Sequence, residues 1–247
     1  MTNTDRTSVL ITGANKGLGF EAARRLGEQG WTVFLGSRDE GRGRAAAGEL
    51  AAGGVDVVMV PLDVTSDESV GEAVRLVRRH TDRLDVLINN AGAPGRIIPP
   101  ADATADEVHS VYDTNVYGPI RVTHAFLPLL RAADNPRVVM VSSGGGSFAV
   151  VTDPDQPVSK MHELAYSSSK AALNMITVRY AQALPEIKFN VATPGEVVNR
   201  KFAATDMNNH TGAMTVTEGT DSIIELATLA SDGPTGIFID RLGPIAW

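Results

Sequence analysis

Two side chains four residues apart, Tyr166 and Lys170, have the types and spacing to move a proton. They lie in a stretch, residues 165–181, whose apolar positions have the period of a buried helix, so both would project from one face. A free tyrosine has a pKa near ~10 and is a poor acid at neutral pH. A lysine ammonium one turn away favours the phenolate, so we expect a lowered tyrosine pKa and proton exchange with a substrate oxygen. The alternative is an ordinary surface Tyr and Lys on a helix.

A glycine-rich turn near the N-terminus has the context of a phosphate-binding loop. Residues 8–12 form a short apolar run typical of a buried strand, residues 13–19 read Gly-Ala-Asn-Lys-Gly-Leu-Gly, and a helical pattern follows. Glycines let the backbone approach a pyrophosphate, and the helix N-terminus then presents free N–H groups to the anion. The spacing differs from the commonest dinucleotide fingerprint, and a purely structural strand–helix turn is the alternative.

The end of the second expected strand indicates which dinucleotide the chain prefers. Many dinucleotide folds place an acid there to bind the ribose 2′-hydroxyl, but this strand ends Gly36-Ser37-Arg38 and the first acid is Asp39. The guanidinium fork of Arg38 suits a 2′-phosphate, and Lys16 in the glycine turn offers a second cation. We therefore expect NADP(H), with a solvated arginine at a strand end as the alternative.

Polar side chains also follow the third, fourth and fifth expected strands. Asp63 is suited equally to bind an adenine amino group or to close a turn. Residues 89–92, Asn-Asn-Ala-Gly, indicate a tight turn. Asn115 stands inside an apolar helical pattern and requires a partner. Ser142 and Ser143 end the fifth strand, where hydroxyls face the crevice in which open parallel sheets bind ligands.

Strands alternate with helices along the whole chain, which predicts an α/β fold with a doubly wound parallel sheet and helices on both faces. We expect one domain over residues 1–247, with a helix over 104–131 that breaks at Gly118-Pro119. The expected strands, about seven, are residues 8–12, 32–35, 55–60, 84–88, 137–141, 187–192 and 236–239.

The composition excludes several classes of protein. The chain has 247 residues, of which 43% are hydrophobic and 21% charged, as in ordinary globular proteins. A net charge of -7 argues against a nucleic-acid partner, and the absence of cysteine rules out disulfides and thiolate metal sites. We predict no metal site. Without a long apolar run or a signal-peptide pattern, we expect no membrane association and a cytoplasmic location.

Taken in order, these motifs resemble those of the short-chain dehydrogenases/reductases, in the compact single-domain Rossmann-like branch, and most of all the NADPH-dependent carbonyl reductases. Residues 12–19 and 89–92 are similar to the cofactor loop and the strand-four motif, and residues 240–247 resemble a carbonyl-reductase C-terminus. The catalytic set implied by the resemblance is Asn115, Ser143, Tyr166 and Lys170. The implied NADP(H) contacts are Gly13, Asn15, Lys16, Gly17, Leu18, Gly19, Ser37, Arg38, Asp63, Val64, Asn90, Ala91, Gly92, Tyr166, Lys170, Pro194, Gly195 and Val197.

The resemblance also implies a mechanism. Tyr166 protonates the oxygen of a ketone or aldehyde while NADPH delivers hydride to carbon, reversibly, and Ser143 holds that oxygen. Lys170 binds the nicotinamide ribose and lowers the pKa of Tyr166, and Asn115 anchors a water that relays protons. A catalytically silent NADP(H)-sensing regulator is the alternative, against which the intact set argues. A sugar-nucleotide epimerase needs a longer chain and a different glycine spacing.

Two departures from the family pattern affect the substrate side. Ser143 and Tyr166 are 23 residues apart, longer than is usual, so residues 151–162 should form a loop beside the substrate mouth, and Ser142 is a second candidate for the serine role. The threonine expected four residues after Gly195 is replaced by Asn199, unless an insertion makes Thr205 its equivalent.

The remaining expectations concern mobility and partners. Residues 196–212 have an irregular polar sequence that includes Asn208, Asn209 and His210, and we expect a lid over the substrate. A plain surface loop is the alternative. The expected partner is a small carbonyl or alcohol substrate. A homodimer or homotetramer is possible, unless the loop at 151–162 blocks helix pairing and leaves a monomer.

Overall fold

The computed structural model of the chain describes residues 6–205 and 210–247, and among these residues eight strands form the main sheet. They are β1 (Ser8–Ile11), β2 (Thr32–Ser37), β3 (Asp56–Pro61), β4 (Val86–Asn89), β5 (Arg137–Val141), β6 (Lys188–Ala192), β9 (Phe238–Asp240) and β10 (Gly243–Pro244). A separate hairpin pairs β7 (Gly195–Glu196) with β8 (Lys201–Phe202). The strand order in the main sheet is β10-β9-β6-β5-β4-β1-β2-β3.

The helices lie on both faces of this sheet. Their bounds are α1 (Gly17–Glu28), α2 (Glu40–Ala52), α3 (Asp67–Arg78), α4 (Ala105–Tyr112), α5 (Gly118–Leu130), α6 (Phe148–Val151), α7 (Leu164–Ala183), α8 (Val216–Gly219) and α9 (Asp221–Ala227). Strands β1 to β6 and β9 are parallel to their neighbours, and only the short edge strand β10 is antiparallel. The expected doubly wound α/β sheet of about seven parallel strands is therefore confirmed, with β10 added at one edge.

Alternate residues of the central strands feed two separate cores. In β1, Leu10 packs into one core together with Phe126 of α5, while Ile11 packs into the other with Leu26 of α1 and Ile223 of α9. All five side chains are fully buried or nearly so. Because successive residues of a strand point to opposite faces, a continuous apolar run serves both cores at once. The apolar runs in the sequence predicted these strands for that reason.

The helical region over residues 105–130 differs from the expectation in one respect. The irregularity is a π-helical turn over Asp113–Tyr117, between α4 and α5, and it directly precedes Gly118-Pro119. Pro119 stands in the first turn of α5, where the missing N–H costs no helical hydrogen bond. Single π turns inside helices are frequent at functional sites, and this one contains Asn115.

Other boundaries were also predicted incompletely. The loop expected at residues 151–162 contains a 3₁₀ turn, Pro157–Lys160, and follows directly on α6. The apolar pattern from Thr217 to Ala230 is typical of one helix, but the structure divides it at Thr220 into α8 and α9, and α9 ends at Ala227. Residues 195–202, which have no clear period, form the β7–β8 hairpin.

The order of the strands places a crevice above the sheet. The connections run from β1 towards β3 on one side and from β4 towards β6 on the other, so the direction reverses between β1 and β4. Open parallel sheets bind ligands outside the carboxyl ends of their strands at such a switch point. The turns after β1, β4 and β5 all open at this edge.

Candidate active site

The glycine turn after β1 is packed closely against the turn after β4. Gly13 has φ +63°, and a Cβ added to it would lie 3.0 Å from the Cα of Ala91. A Cβ on Gly19 would come within 2.5 Å of the side-chain nitrogen of Asn90 and within 2.9 Å of the Cα of Ala14. Only glycine leaves room for this approach, so the two turns form one surface at the switch point.

Thr12 and Asn90 lock these two turns together. The hydroxyl oxygen of Thr12 accepts hydrogen bonds from the amides of Asn90 at 3.0 Å and Ala91 at 2.9 Å. In return the Asn90 side chain donates to the carbonyls of Thr12 at 2.8 Å and Gly13 at 3.1 Å. The side-chain donor of Asn90 is therefore used to hold the glycine turn in shape.

The N-terminus of α1 is open to an anion. The helix begins at Gly17, has no side-chain cap and carries no acidic residue in its first turn. Its first N–H groups and the positive end of the helix dipole therefore favour a negative ligand. Asn15 and Leu18 are half-buried beside them, and Lys16 is exposed. These are the features that a pyrophosphate requires.

At the tip of β2 the acidic residue faces away from the crevice. Asp39 caps α2 by accepting from the amide of Arg42 at 2.9 Å, and it pairs with the guanidinium of Arg42 at 3.0 Å. That backbone hydrogen bond, with the charge of Arg42, holds the pKa of Asp39 below its usual value. Ser37 is buried and its hydroxyl donates to the carbonyl of Asp39 at 2.8 Å. Arg38 is exposed and forms no ion pair with the rest of the described chain.

The segment after β3 closes a turn. One carboxylate oxygen of Asp63 accepts from the amide of Thr65 at 3.0 Å and from its hydroxyl at 2.7 Å. This geometry favours the turn interpretation of Asp63, although its second oxygen takes no part in these bonds. Val64 is buried, and its carbonyl accepts from Arg121 of α5. Both residues therefore have structural roles before any contact with a ligand.

Asn115 connects the turn after β4 to α7. Its side-chain oxygen accepts from the amide of Ala93 at 2.8 Å, and its side-chain nitrogen donates to the carbonyl of Ala93 at 2.9 Å and to the hydroxyl of Ser169 at 3.0 Å. The residue is completely buried. The partner that the sequence required is thus a backbone segment far away in the chain, and Asn115 fixes the distance between this turn and the helix that carries Tyr166.

The two serines at the end of β5 point to different places. Ser142 is buried, and its hydroxyl donates to the side-chain oxygen of Asn174 in α7 at 2.7 Å. The hydroxyl of Ser143 accepts from the amide of Gly145 at 3.1 Å and lies close enough to Tyr166 to lower the pKa of that phenol. The structure therefore brings Ser143 to the tyrosine and commits Ser142 to packing between strand and helix.

Tyr166 and Lys170 lie on one face of α7, as the spacing predicts. Lys170 is only 4% exposed, its Nζ donates to the carbonyl of Val141 at 2.9 Å, and it lies 5.6 Å from the centre of the Tyr166 ring. Burial lowers the pKa of Lys170 to about 8 because the ammonium loses water.

The pKa of Tyr166 moves opposite to our expectation. Burial raises it to about 12, and the charge of Glu163 one turn earlier adds to the increase, while the hydrogen bond from Ser143 opposes it. The expectation was wrong because it considered only the lysine charge and ignored the loss of water around the phenol. The resulting side chain is a protonated phenol at neutral pH.

The Pro194-Gly195 turn after β6 leads into the β7–β8 hairpin. Gly195 pairs with Phe202, and the amide of Ala203 donates to the carbonyl of Pro194 at 3.1 Å. The chain therefore leaves Pro194, forms the hairpin and returns to lie beside Pro194 at Ala203. Thr205 follows two residues after this return, as an insertion would require.

The alternative residue for the threonine role is directed elsewhere. Asn199 is exposed at the hairpin loop, and its side chain donates to Glu196 at 2.8 Å. Asn208 and Asn209, part of the expected lid, lie outside the described residues.

A family profile described as short chain dehydrogenase matches residues 7–212. The chain belongs to the short-chain dehydrogenase family. The resemblance drawn from the motifs is thereby confirmed, and the chain is an oxidoreductase that acts at an alcohol or carbonyl group.

Known relatives of this dehydrogenase match along nearly its whole length. It is 32% identical to a (+)-neomenthol dehydrogenase of Arabidopsis thaliana, over 94% of this chain and 95% of that protein. Among solved structures it is similar to the NADPH-bound carbonyl reductase from chicken fatty liver, with 30% identity, a TM-score of 0.84, and coverage of 98% of this chain and 100% of that chain. The salutaridine reductase of Papaver somniferum has 26% identity and a TM-score of 0.81, over 94% of this chain and 99% of that chain.

In this dehydrogenase the hairpin after Gly195 is anchored by buried charges that sequence analysis missed. Glu196 is 4% exposed and pairs with Arg241 at 3.0 Å and Lys201 at 3.6 Å. The amide of Val197 donates to the buried carboxylate of Asp240 at 2.8 Å. An acid directly after a Pro-Gly turn was the available signal, but its partner Arg241 lies 45 residues further along the chain, after β9.

Within residues 6–205 and 210–247, no cluster of His, Asp and Glu is arranged to hold a metal ion. No helix in those same ranges is long and apolar enough to cross a membrane.

Proposed function

We propose that this short-chain dehydrogenase is an NADP(H)-dependent carbonyl reductase that converts a ketone or aldehyde to an alcohol and catalyses the reverse reaction. The observation that carries the proposal is the grouping of Ser143, Tyr166 and buried Lys170 at the carboxyl end of β5, where Lys170 Nζ lies 5.6 Å from the centre of the Tyr166 ring and donates to Val141. This edge of the sheet also carries the glycine turn. Proton donor, oxygen-binding hydroxyl and phosphate loop therefore open onto the same crevice.

The residues around the crevice fit a phosphorylated dinucleotide. The cradle formed by Gly13, Gly17 and Gly19 would be filled by any Cβ or strained by one, and it opens at the bare N-terminus of α1. Arg38 and Lys16 would face the 2′-phosphate, since the acid at the tip of β2 is occupied as a helix cap. The similar chicken carbonyl reductase is NADPH-bound, which supports the same cofactor here.

The other proposed cofactor contacts come from the turns that border the crevice. Asn90, Ala91 and Gly92 follow β4, and Pro194, Gly195 and Val197 follow β6. Asp63 and Val64 would approach the adenine from the turn after β3. NADPH, when bound, supplies the hydride for the reaction.

In the reduction direction, Tyr166 gives its proton to the substrate oxygen. With its pKa raised to about 12, the phenol is protonated across the neutral range and is ready as a donor. Ser143 supplies a second hydrogen bond to the oxygen as negative charge develops on it. Lys170 would bind the ribose hydroxyls, and its ammonium would stabilise the phenolate left behind. Asn115 acts as a positioning residue that holds α7 against the turn after β4.

The pH dependence of reduction should follow Lys170. Its pKa is lowered to about 8, so the ammonium that stabilises the phenolate is lost as pH rises through that value. We expect kcat for reduction to be level below about pH 7 and to fall above about pH 8. Replacement Lys170→Arg keeps the charge at all these pH values, so the high-pH decline should disappear even if the overall rate drops. A decline that persists unchanged in Lys170→Arg would assign it to another group.

The proposal is tested by following NADPH consumption against a panel of ketones, aldehydes and quinones. At least one carbonyl compound should be reduced to its alcohol with stoichiometric NADPH oxidation. Tight NADPH binding without turnover of any member would instead favour the silent NADP(H)-sensing regulator.

The threonine role can be assigned by a pair of variants. We expect Thr205→Ala to raise the KM for NADPH about 2- to 10-fold, as the loss of one hydrogen bond does, and Asn199→Ala to leave it nearly unchanged. The reason is that the chain resumes beside Pro194 just before Thr205, whereas Asn199 is bound to Glu196. Steady-state kinetics with varied NADPH provides the measurement. The role in question is binding of the nicotinamide carboxamide. If the KM for NADPH is unchanged in both variants, the backbone near Val197 would bind the carboxamide instead.

Several expectations stay predictions. These are the single domain, the cytoplasmic location, the homodimer or homotetramer, and the closure of residues 196–212 as a lid over a small-molecule substrate. The bonds of Glu196 and Val197 to the C-terminal residues Arg241 and Asp240 oppose movement of the first residues of this segment.

A further inference from the structure

A small cavity begins at Gly144, the residue that follows Ser143. Its enclosed volume is about 20 Å³, and the space around it is open to solvent. Its inner wall is Gly144, and the residue after that, Gly145, is packed against both Ser143 and Val158. On the proposed function, a substrate carbonyl held by Ser143 would extend into this cavity. The inference below therefore rests on that function.

The walls of the cavity differ in polarity. Val150 and Val158 on one side, and Val197 and Phe202 on the other, form an apolar middle. The polar lining residues include Gln156, from the loop before α7, and Arg200, from the β7–β8 hairpin, beside Thr193, Glu196 and Lys201. Within the described chain, neither the side-chain amide of Gln156 nor the guanidinium of Arg200 has a hydrogen-bond partner or an ion pair. An apolar cavity with a few convergent polar groups is the usual form of a small-molecule site.

The charge balance of the cavity is positive among the residues that the structure describes. Of these, Glu196 is the only lining carboxylate, and Arg241, Lys201 and Asn199 already surround it. Arg200 remains as a lining cation whose charge is not compensated by any described residue. The acids of the loop before α7, Asp153 and Asp155, do not line the cavity. An anion entering the cavity would therefore meet an uncompensated guanidinium.

The backbone at Arg200 gives a second indication. Its φ is +57°, in the left-handed region that glycine and asparagine adopt most easily. A long side chain is disfavoured there, and hairpin loops commonly place glycine at such a position. Strained residues of this kind occur where the side chain has a task. Here the strained position lies on the wall of the cavity beside Ser143.

We propose that the carbonyl substrate of this enzyme carries a carboxylate, which Arg200 binds while the amide of Gln156 also donates to it. The guanidinium fork matches the two oxygens of a carboxylate better than any other anchor in the cavity. The enclosed space is small, so it can receive only the short carboxylate end of an oxo acid, and the rest of the substrate lies in the open crevice. The hairpin after Gly195 thus determines substrate specificity as the outer wall of the site.

The first test compares oxo acids with their neutral esters. The wild type should have a higher kcat/KM for acetoacetate or levulinate than for the corresponding methyl ester. Arg200→Gln should lower kcat/KM about tenfold for the acids and leave the esters within about twofold, as expected for a charge at the rim of a site. Arg200→Lys should restore part of the loss. Arg79→Gln is the matched control, since this exposed arginine ends α3 at the opposite edge of the sheet.

The second test separates this inference from the proposed function. Calorimetry with NADP⁺ present measures binding of valerate, which cannot be reduced, against its neutral amide. Valerate should bind more tightly, and Arg200→Gln should abolish the difference. If no carbonyl is reduced but valerate still binds through Arg200, the reductase proposal fails and the carboxylate site stands. If esters are reduced as well as acids, or if Arg200→Gln affects both equally, the carboxylate site is wrong while the reductase stands.

Discussion

Replacing Tyr166 with phenylalanine is expected to reduce kcat about 100- to 10,000-fold while leaving the Kd for NADPH nearly unchanged. The phenylalanine keeps the ring beside Lys170 but has no proton to give to the developing alkoxide. Ser143 remains to bind the oxygen, so substrate still enters the site. Stopped-flow hydride transfer and fluorescence titration of NADPH measure the two quantities separately.

The same helix provides the control for this variant. Tyr180 is stacked on Phe189, with ring centres 5.0 Å apart, and lies near the far end of α7 from Tyr166. Tyr180→Phe also removes a tyrosine hydroxyl from α7, but far from the site, and should leave kcat unchanged. Lys170→Ala, in contrast, should harm both turnover and NADPH binding because it has a role in each. Substantial activity in Tyr166→Phe would show that another group is the acid.

A second large effect is expected on cofactor choice when Arg38 is replaced by aspartate. The wild type should prefer NADPH to NADH, because we propose that Arg38 and Lys16 bind the 2′-phosphate, while Asp39 is held by α2. Arg38→Asp removes a charge-assisted hydrogen bond and adds repulsion, so the ratio of kcat/KM for NADPH over NADH should fall about 10- to 100-fold or reverse. Steady-state kinetics with both cofactors gives the ratio.

Arg44→Asp controls for the change in net charge. Arg44 is exposed on α2, where it pairs with Glu40 at 2.8 Å. The substitution Arg44→Asp reverses the charge as Arg38→Asp does, but at a position away from the end of β2. Its cofactor ratio should match that of the wild type. If the unmodified enzyme already uses NADH and NADPH with equal kcat/KM, the assignment of Arg38 and Lys16 to the 2′-phosphate is wrong.

The tertiary structure also changes how Tyr166 is understood. Sequence spacing correctly places Lys170 one turn away, and local charge alone predicts a lowered tyrosine pKa. Partial burial of the Tyr166 phenol reverses that direction, and burial depends on everything packed around the side chain. A protonated phenol suits reduction, in which the tyrosine must begin as an acid.

Sequence alone determined the features whose physical cause is local or periodic. Seven apolar runs predicted seven parallel strands, since residues buried on both faces of a sheet must all be apolar. The glycine turn, the strand tip at Arg38 and the Tyr166–Lys170 pair were predicted because their chemistry depends on spacing within a few residues. Residues in regular elements were predicted more accurately than those in the connections.

Tertiary structure alone decided the features that depend on contacts between distant segments. Ser142 and Ser143 are adjacent, and the sequence offers both as candidates for the serine role. The packing of α7 against β5 distinguishes them, because the hydroxyl of Ser142 then donates to Asn174. The partner of Asn115 is the backbone of Ala93. The hairpin after Gly195 has no periodic pattern, because buried Glu196 and its ion pair with Arg241 hold it rather than an apolar stripe. Such contacts join residues tens of positions apart, and no local pattern records them.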